Sequence, residues 1–467
     1  MPSPSSQRNA PIAAVVLAAG LGKRFASATP KVLHEASGRP LIHHVLAALS
    51  GVELARKIVV VGHERERVQS AVRAVAPEAI FVEQPEQLGT GHAVNVCSGV
   101  LEDFDGGVLV ASGDMPMITQ ATLRALVEEW RKSEAQVALL TAKVSDPTGY
   151  GRVLEKNGRL EIVEEADATV AEKLMDIVST GFWVFDRRSL FDALAQVTTD
   201  NAQKEMYLPD AALVIQRSGG KIATVMSSDE TEVMGANDRA QLAEVGRSMR
   251  QRKNLELMAA GVTIVDPAST YIEESVEVGP ETVLRPMTFL DGATVIGSGC
   301  RIGPNVQIVD SIVKDEATVT FAVVKGSEVG ERAEVGPFAY LRPGTKLNAG
   351  AKVGTFVEVK GSIVGEGSKI PHLSYMGDAE IGRDVNVGAG TITGNYDGET
   401  GVKSKTVLED GVLTGSGTTL VAPVSLGKNA VTGAGAVVTK DVAEDEVVMG
   451  VPARPVRKRK RKTRDNA

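Results

Sequence analysis

Glycines and cations are concentrated in one short stretch near the start of the chain, and these residue types suit phosphate binding. The stretch runs from Leu17 to Arg24 as LAAGLGKR and is completed by Lys31. Glycine lets backbone N–H groups approach a phosphate closely, and lysine and arginine supply charge for oxygens that stay anionic during reaction. A helix-like pattern near Val32 would add a helix N-terminus, which favours negative charge. The stretch therefore predicts a nucleotide-binding loop.

The spacing of this loop matches neither of two common phosphate-binding motifs. It lacks the spacing of a Walker loop, and Phe25 stands where a dinucleotide-binding fingerprint needs its third glycine. An ordinary glycine-rich turn is the alternative for the loop taken alone.

The elements around the loop alternate between buried-strand and helical patterns. The apolar run Ile12–Leu17 precedes the loop and indicates a strand buried on both faces. Further strands are predicted at Ile58–Val61, Ile80–Val82, Val108–Ala111, Val137–Leu140 and Phe182–Phe185, and helices at Leu41–Leu49 and Leu123–Arg131. The alternation predicts an α/β, Rossmann-like domain with a largely parallel sheet, in which ligands lie beyond the carboxyl ends of the strands.

Two polar segments follow predicted strands in this half. Gln84 to His92 is glycine-punctuated, and the amide of Gln84 is suited to contact the edge of a base. Asp114 ends another strand, where a carboxylate suits Mg²⁺ beside substrate phosphates, because Mg²⁺ takes one or two protein oxygens and keeps waters. A helix N-cap is the alternative role for Asp114.

Composition narrows the functional classes. The 467 residues predict two or three domains. The formal net charge of −8 gives no reason to expect nucleic-acid binding, and two distant cysteines indicate neither a disulfide framework nor a zinc site. No apolar run reaches about 18 residues, so no membrane span is expected. Residues 1–10 lack an apolar signal core, which predicts a flexible tail and a cytoplasmic location.

The second half carries a six-residue period. Aliphatic residues recur every six positions, and a small residue such as Thr282 or Cys300 usually stands two positions earlier. The aliphatic positions are Val278, Leu284, Leu290, Ile296, Ile302 and Ile308, then Val329, Val335, Leu341, Leu347, Val353 and Val359, then Ile381 and Val387, and finally Leu420, Leu426, Thr432 and Val438. This period predicts a parallel β-helix of hexapeptide repeats.

A helical segment separates the two halves. Residues 238–260 form an amphipathic pattern that Gly261 ends, with Leu242, Val245, Met249 and Leu255 as its apolar stripe. The predicted organisation is thus a tail at 1–10, a domain at 11–237, a linker helix at 238–261, a β-helix at 262–452 and a basic tail at 453–467.

The repeat breaks at residues 365–378 and 394–406, and insertions in a solenoid are common functional positions. The first break contains His372, and the other five histidines of the chain all precede residue 93. A lone histidine is more often structural than catalytic. Its position in a break nevertheless favours a general base, for which an imidazole has a suitable pKa.

Five motifs in order establish a resemblance to a known family. They are QPEQLGTGHA from Gln84, the strand that ends in Gly113-Asp114, DPTGYGR at Asp146–Arg152, IVEEADA at Ile162–Ala168 and GANDR at Gly235–Arg239, and they follow the loop LAAGLGKRF with Pro30-Lys31. The chain resembles, over about residues 12–440, the bifunctional N-acetylglucosamine-1-phosphate uridylyltransferase / glucosamine-1-phosphate N-acetyltransferase family. The resemblance implies a nucleotidyltransferase domain, a left-handed β-helix, a homotrimer and synthesis of UDP-N-acetylglucosamine.

The resemblance also implies roles in uridylyl transfer. Lys31 and Arg24 would stabilise charge, and Asp114 and Asn237 would bind Mg²⁺. The residues implied for UTP or the sugar are Leu17, Ala18, Ala19, Gly20, Lys31, Gln84, Gly89, Thr90, Gly151, Glu164, Ser179 and Asn237.

For acetyl transfer the resemblance implies His372 as the base, oriented by Glu358 and Asn395. The residues implied for glucosamine 1-phosphate are Arg342, Lys360, Tyr375, Asn386 and Lys403. Those implied for acetyl-CoA are Ala389, Asn395, Tyr396, Ser416 and Ala434.

Three positions depart from the family pattern. Ser179 replaces an asparagine before the Thr-Gly pair, Ser112 replaces a tyrosine before Gly-Asp, and Val451 replaces an arginine of the CoA site. Arg454 and Arg457 are alternative candidates for the CoA phosphate. The cationic run that they begin extends to Arg464 and predicts either phosphate attraction or a solvated, disordered tail.

A rival hypothesis from another class is a single-activity nucleotidyltransferase whose β-helix only oligomerises or regulates it. His372 in a repeat break, with Glu358 and Asn395 available, argues against this rival.

Overall fold

The computed structural model describes residues 9–156 and 158–459, and its contacts divide the chain into two units, Met1–Met249 and Arg250–Ala467. Most of the predicted N-terminal tail and the last eight residues of the basic tail lie outside the described residues. Within the described residues, no helix is both long and apolar enough to cross a membrane.

The N-terminal unit is built on a mixed sheet with helices around it. Its strands are β1 Ile12–Leu17, β2 Glu35–Ala36, β3 Arg39–Pro40, β4 Leu54–Val61, β5 Ile80–Glu83, β6 Gly107–Ser112, β7 Val137–Lys143, β8 Gly151–Lys156, β9 Arg159–Val163, β10 Ile177–Asp186 and β11 Ile222–Ser227. Its helices are α1 Leu41–Leu49, α2 Arg65–Val75, α3 Thr90–Asn95, α4 Gln120–Ser133, α5 Val170–Lys173, α6 Arg187–Leu194 and α7 Leu208–Arg217, and α8 Arg239–Ala259 begins in this unit.

The order of the main sheet is β11-β7-β10-β6-β1-β4-β5. Strand β1 lies between β6 and β4 and is parallel to both, and its residues from Ile12 to Val16 are fully buried. The predicted α/β class and the predicted strands are confirmed. One strand departs from the parallel expectation: β10 runs antiparallel to both neighbours, which brings its first residues to the edge where β1 and β6 end.

The predicted helix near Val32 is wrong. Only a 3₁₀ turn, Lys31–Leu33, forms there, and α1 begins eight residues later at Leu41. The chain between them makes a tight hairpin with positive φ at Ser37 and Gly38, and Pro40 then precedes the helix. These residues interrupt a helix whatever the apolar spacing, so the loop gains no helix N-terminus.

The C-terminal unit is a left-handed β-helix whose three faces are parallel sheets, as predicted. The first face contains Thr263–Ile264, Val283–Leu284, Arg301–Ile302, Thr318–Val319, Glu334–Val335, Lys352–Thr355 and Lys369–His372. The second contains Thr270–Ile272, Thr288–Asp291, Val306–Val309, Ala322–Lys325, Ala339–Leu341, Glu358–Lys360, Tyr375–Gly377, Ile392–Gly394, Thr419–Val421 and Val437–Val438. The third contains Glu277–Val278, Val295–Ile296, Ile312–Val313, Glu328–Val329, Lys346–Leu347, Ile363–Val364, Ala379–Ile381, Thr406–Leu408 and Val424–Leu426.

The six-residue period corresponds to the core of this unit. All of its aliphatic positions are buried except Val278, which is half-buried. The small residues before them are buried too, and their hydroxyls find backbone partners: Thr282 donates to the carbonyl of Gly297 at 2.8 Å and Thr294 to that of Asp291 at 2.6 Å. These corners thereby bury a polar group that has a hydrogen-bond partner, whereas the buried hydroxyl of Thr406 has none among the described residues.

One corner of the β-helix has left-handed backbone in successive coils from Met287 onward. The pairing registers align Met287, Asn305, Phe321, Phe338, Phe356 and Leu373, all with φ between 43° and 59°. The same column continues with Gly390, Gly417 and Gly435. We call the five apolar residues at its start the corner ladder. Phe338 and Phe356 are 56% and 59% exposed, and their rings stack at 5.4 Å.

Helix α8 confirms the predicted helical segment, with one error in its apolar stripe. Val245 and Met249 pack into the N-terminal unit, and Leu257 joins the core of the C-terminal unit. Leu255, predicted to be part of the stripe, is 56% exposed. A residue two positions away from Leu257 points to the other side of a helix, so only one of them can be buried.

The start of the basic tail is ordered, which corrects the prediction of a disordered tail for residues 454–459. Strand Arg454–Lys458 pairs antiparallel with Glu446–Met449, which in turn pairs with Val431–Thr432. Arg459 donates hydrogen bonds to the carbonyls of Gly411 and Asn429, both at 2.8 Å. These bonds occupy carbonyl groups of two successive coils.

Candidate active sites

Three predicted site residues meet in the N-terminal unit. The Lys31 ammonium group forms an ion pair with the Asp114 carboxylate and donates to Oδ1 of Asn237 at 2.6 Å. Asp114 follows β6 and Asn237 precedes α8, so the chain brings together residues more than 120 positions apart. One carboxylate and one amide oxygen therefore face the same cation, and this oxygen pair is the donor set that Mg²⁺ uses when it keeps most of its waters.

The phosphate-binding candidates line one cleft of about 470 Å³ beyond the carboxyl ends of β1 and β6. The pairing of Leu17 with Ser112 puts these two ends side by side. The predicted residues in the lining are Leu17, Ala19, Gly20, Arg24, Lys31, Gln84, Gly89, Thr90, Asp114 and Asn237. Ala18 is buried and does not line the cleft; its N–H donates to the carbonyl of Val60 at 2.9 Å.

The loop after β5 is stabilised by hydrogen bonds among its own residues. Gln84 is only 3% exposed, and its amide nitrogen lies 3.2 Å from the carbonyl of Gly89 and 3.1 Å from Nδ1 of His92. The predicted base contact by Gln84 must therefore use the other end of its amide. Gly89 has φ of 106°, and a Cβ there would lie 2.5 Å from the carbonyl oxygen of Met206. Only glycine fits this position without moving the loop.

The predicted sugar-binding residues lie around a second cavity of about 300 Å³. Gly151, Glu164, Ser179 and Asn237 all line it. It also includes Asp114, Thr90 and Leu17, which line the phosphate cleft as well, so the two cavities adjoin. Ser179 reaches this cavity because β10 runs antiparallel, an arrangement that its sequence did not reveal.

Glu164 is electrostatically unusual. Burial, with smaller contributions from the charges of Asp210, Asp167 and Glu205, raises the pKa of the Glu164 carboxyl from 4.5 to about 7. A carboxyl group near neutrality can donate as well as accept a hydrogen bond, which suits recognition of sugar hydroxyls.

Arg152 is a structural support that sequence reasoning missed, although it ends the DPTGYGR motif. Its side chain is 1% exposed, forms a 2.8 Å ion pair with Glu165 and donates to the carbonyls of Tyr150 and Lys173. It thereby joins the segment that carries Gly151 to the segment that carries Glu164. An arginine within a glycine-rich motif was the available signal, but its partner could not be read from the sequence.

In the C-terminal unit, the second face of the β-helix carries a row of predicted residues. The registers place Glu358 beside Tyr375, and Arg342 beside Lys360, on adjacent coils. Nη1 of Arg342 donates to Oε1 of Glu358 at 2.9 Å. Two cations and a phenol, all half-buried, thus share one strip of the face, which suits a sugar phosphate.

His372 stands at a corner next to this face. It is exposed, and its backbone carbonyl accepts from the N–H of Gly390 at 3.2 Å. The same ladder continues from Ala389 to Gly417 and from Ser416 to Gly435. His372, Ala389, Ser416 and Ala434 therefore form one column on successive coils. All three predicted acetyl-CoA positions outside the loop at 394–406 have small side chains here, which leaves open surface beside the imidazole.

The predicted orienting contacts to His372 are absent among the described residues. Glu358 instead accepts from Arg342, and Nδ2 of Asn395 donates to Oδ2 of Asp378 at 2.6 Å. The loop at 394–406 is a hairpin in which Tyr396 pairs with Lys403. The remaining predicted residues, Asn386 and Lys403, are exposed, as is Val451.

Comparisons with known proteins give two results. Residues 14–213 match the model of the MobA-like NTP transferase domain family. Proteins named "Bifunctional protein GlmU" match nearly the whole chain. Those of Carboxydothermus hydrogenoformans and Heliobacterium modesticaldum are each 47% identical, over 92% of this chain and 95% and 93% of their own lengths. That of Exiguobacterium sibiricum is also 47% identical, over 92% of this chain and 96% of its own length.

Identity at this level across both units goes beyond a shared fold. A match over 92% of the chain extends into both units. The chain belongs to the GlmU family of bifunctional enzymes, which combine a uridylyltransferase with an acetyltransferase.

Proposed function

We propose that the C-terminal unit acetylates glucosamine 1-phosphate with acetyl-CoA, and that the N-terminal unit then transfers uridylyl from UTP to N-acetylglucosamine 1-phosphate. The product, UDP-N-acetylglucosamine, supplies cell-envelope precursors. The observation that carries the proposal is the presence of two separate clusters, one around Lys31, Asp114 and Asn237 and one around His372, in two units with independent cores. We assign the first reaction to the β-helix at 262–452 and the second to the domain at 11–237.

For uridylyl transfer, the attacking atom is a phosphate oxygen of the sugar phosphate. It forms a bond to the α-phosphorus of UTP while the bond to pyrophosphate breaks. Lys31 and Arg24 supply positive charge on the side of the cleft formed by the glycine-rich loop. Their role is to hold the anionic groups in line and to stabilise charge in the transition state.

Asp114 and Asn237 would hold the Mg²⁺ ion. Their oxygens already share one cation, the Lys31 ammonium, so their arrangement fits a divalent ion with several bound waters. When bound, the ion would neutralise phosphate charge. The backbone of residues 17–20, with Gln84, Gly89 and Thr90, would contact the nucleotide, and Gly151, Glu164, Ser179 and Asn237 would contact the sugar.

For acetyl transfer, His372 would accept a proton from the amino group of the sugar as that nitrogen attacks the thioester carbonyl. The C–S bond then breaks and CoA leaves as the thiol once it regains a proton. Arg342, Lys360, Tyr375, Asn386 and Lys403 would hold the sugar phosphate. Acetyl-CoA would bind along the surface formed by the small side chains of Ala389, Ser416 and Ala434, together with Asn395 and Tyr396.

We further propose that the chain works as a homotrimer in the cytoplasm. The corner ladder supports assembly, because three aromatic rings and two further apolar side chains are aligned along one edge of the β-helix. Exposed apolar rows of this kind mark protein contacts, and a second copy of the chain is the occupant we assign. The ladder ends at Leu373, directly after His372, so a neighbouring subunit bound there would border the acetyltransferase site.

Separate assays of the two reactions on the full chain test this assignment. Asp114→Ala should abolish uridylyl transfer and leave acetyl transfer near normal. His372→Ala should lower the acetyl-transfer kcat by about 10²–10⁴-fold, the typical contribution of a positioned base, with little change in KM. Uridylyl transfer should be unaffected in the second variant. Loss of both activities in a folded single variant would contradict the two-site assignment.

The same assays decide the rival hypothesis. A protein whose β-helix only oligomerises or regulates would release no thiol from acetyl-CoA in the presence of glucosamine 1-phosphate. Normal acetyl transfer by His372→Ala would instead indicate that His372 has a structural role.

A further inference from the structure

Asp378 lies at the meeting point of several candidate acetyltransferase residues, although no motif pointed to it. Its backbone N–H donates to the carbonyl of Lys360 at 2.9 Å, and its carbonyl accepts from the N–H of Thr406 at 3.3 Å. Its carboxylate accepts the 2.6 Å hydrogen bond from Nδ2 of Asn395. Asp378 therefore contacts the strand of a proposed phosphate-binding lysine and both ends of the loop at 394–406.

The Asp378 carboxylate determines which way the amide of Asn395 faces. An ionised carboxylate can only accept hydrogen bonds, so it must meet the amide nitrogen and not the amide oxygen. Asn395 is 7% exposed, and a reversed amide would place two oxygens against each other in a poorly solvated position. The oxygen of Asn395 is consequently turned away from Asp378.

Gly377 makes room for this arrangement. A Cβ on Gly377 would lie 2.5 Å from the hydroxyl of Tyr375 and 2.7 Å from Nδ2 of Asn395. The phenol and the amide therefore both lie over the bare Cα of Gly377. Any shift of Asn395 changes its position relative to Tyr375, a proposed sugar-binding residue.

We propose that Asp378 is a positioning residue for acetyl transfer, which acts by fixing the orientation of the Asn395 amide. This inference rests on the proposed role of Asn395 at the acetyltransferase site. With its amide nitrogen engaged by Asp378, Asn395 presents its oxygen as a hydrogen-bond acceptor. An acceptor suits N–H donors, such as the amino group of an amino sugar or the amides of an acyl-CoA.

The test is a set of variants at the two positions, assayed with acetyl-CoA and glucosamine 1-phosphate. Asp378→Asn removes the demand for an amide nitrogen and allows Asn395 to reverse, so kcat should fall by about tenfold or more. Asn395→Asp places two carboxylates face to face, and its kcat should fall further. The double variant Asp378→Asn/Asn395→Asp restores a donor–acceptor pair. Its kcat should be about tenfold higher than that of Asn395→Asp.

Two controls separate positioning from damage to the fold. Asp384→Asn alters an exposed aspartate with the same φ of 51°, and it should leave acetyl transfer unchanged. Because the two units have independent cores, circular dichroism and thermal unfolding of every variant check that the β-helix is intact. A purely structural role for Asp378 would lower stability without the recovery of kcat in the double variant.

The outcomes distinguish this inference from the proposed function. Normal acetyl transfer by Asn395→Ala would remove Asn395 from the site and overturn the function assigned to it. Impaired acetyl transfer by Asn395→Ala together with normal acetyl transfer by Asp378→Asn would overturn only the positioning role of Asp378. Strict multiplication of the two single effects in the double variant would also overturn it.

Discussion

Replacing Glu164 by glutamine should stabilise the N-terminal unit, and the gain should grow with pH. Glutamine keeps the shape of the side chain and resembles the protonated carboxyl group. The ionised form of Glu164 is disfavoured by burial and by the charges of Asp210, Asp167 and Glu205. The substitution removes that cost of ionisation.

The size and sign of the effect follow from the pKa of Glu164. A rise from 4.5 to about 7 corresponds to at most about 3 kcal/mol for the charged form, because solvent at the half-buried carboxylate screens part of its charge. A group with a raised pKa contributes stability below its unfolded pKa, and that stability is lost as pH rises through its folded pKa. The variant should therefore match the native chain near pH 4.5 and exceed it progressively up to about pH 8.

Tryptophan fluorescence measures this in the full chain, because both tryptophans, Trp130 and Trp183, are buried in the N-terminal unit. Urea unfolding followed by fluorescence at pH 5, 6, 7 and 8 should show a difference that widens with pH. The neighbouring variant Glu165→Gln is the matched control. It removes the partner of a buried arginine and should destabilise the unit at pH 8. A constant difference across the pH range, or a less stable Glu164→Gln at pH 8, would refute the reasoning.

Three other outcomes are expected. Chelation with EDTA should stop uridylyl transfer and leave acetyl transfer intact, as measured by pyrophosphate and thiol release; equal loss of both would contradict a metal site confined to one unit. Gly89→Ala should raise the KM for UTP by about 10–100-fold, since a Cβ would strike the Met206 carbonyl and φ is 106°; an unchanged KM would show that the loop adapts freely. Phe338→Asp should convert the proposed trimer to smaller species in sedimentation, whereas Val170→Asp, at a site 83% exposed in the other unit, should not. An unchanged assembly in both variants would exclude the corner ladder from the subunit contact.

Local patterns were sufficient for most of the fold. Each buried strand expected in the N-terminal unit forms, and the six-residue period corresponds to the core of the β-helix, because both depend on burial of periodic apolar side chains. The helix expected near Val32 fails, since Gly38 and Pro40 act on the backbone and not on apolar spacing. The direction of β10 could not be read either, because a strand buried on both faces has the same composition in either direction.

The candidate sites show the same contrast between features that local motifs predict and contacts that they do not. Motifs were enough to select Lys31, Asp114 and Asn237, which do meet. Contacts between distant segments were not accessible: the Arg152–Glu165 ion pair and the bond from Asn395 to Asp378 join side chains whose partners carry no local signature. The alignment of His372 with Ala389 was hidden as well, because the breaks in the repeat shift the count of residues per coil.

The left-handed corner also bears on protein engineering. A bulky residue at positive φ costs roughly 1–2 kcal/mol relative to a relaxed backbone, whereas glycine, and often asparagine, adopts that conformation readily. Asn305 already occupies one such position in the column. A computational redesign that optimises a single chain would therefore replace Phe321, Phe338 and Phe356 with glycine or asparagine. Such a variant would melt at a higher temperature as a lone subunit and would have lost the surface that we propose for subunit contact.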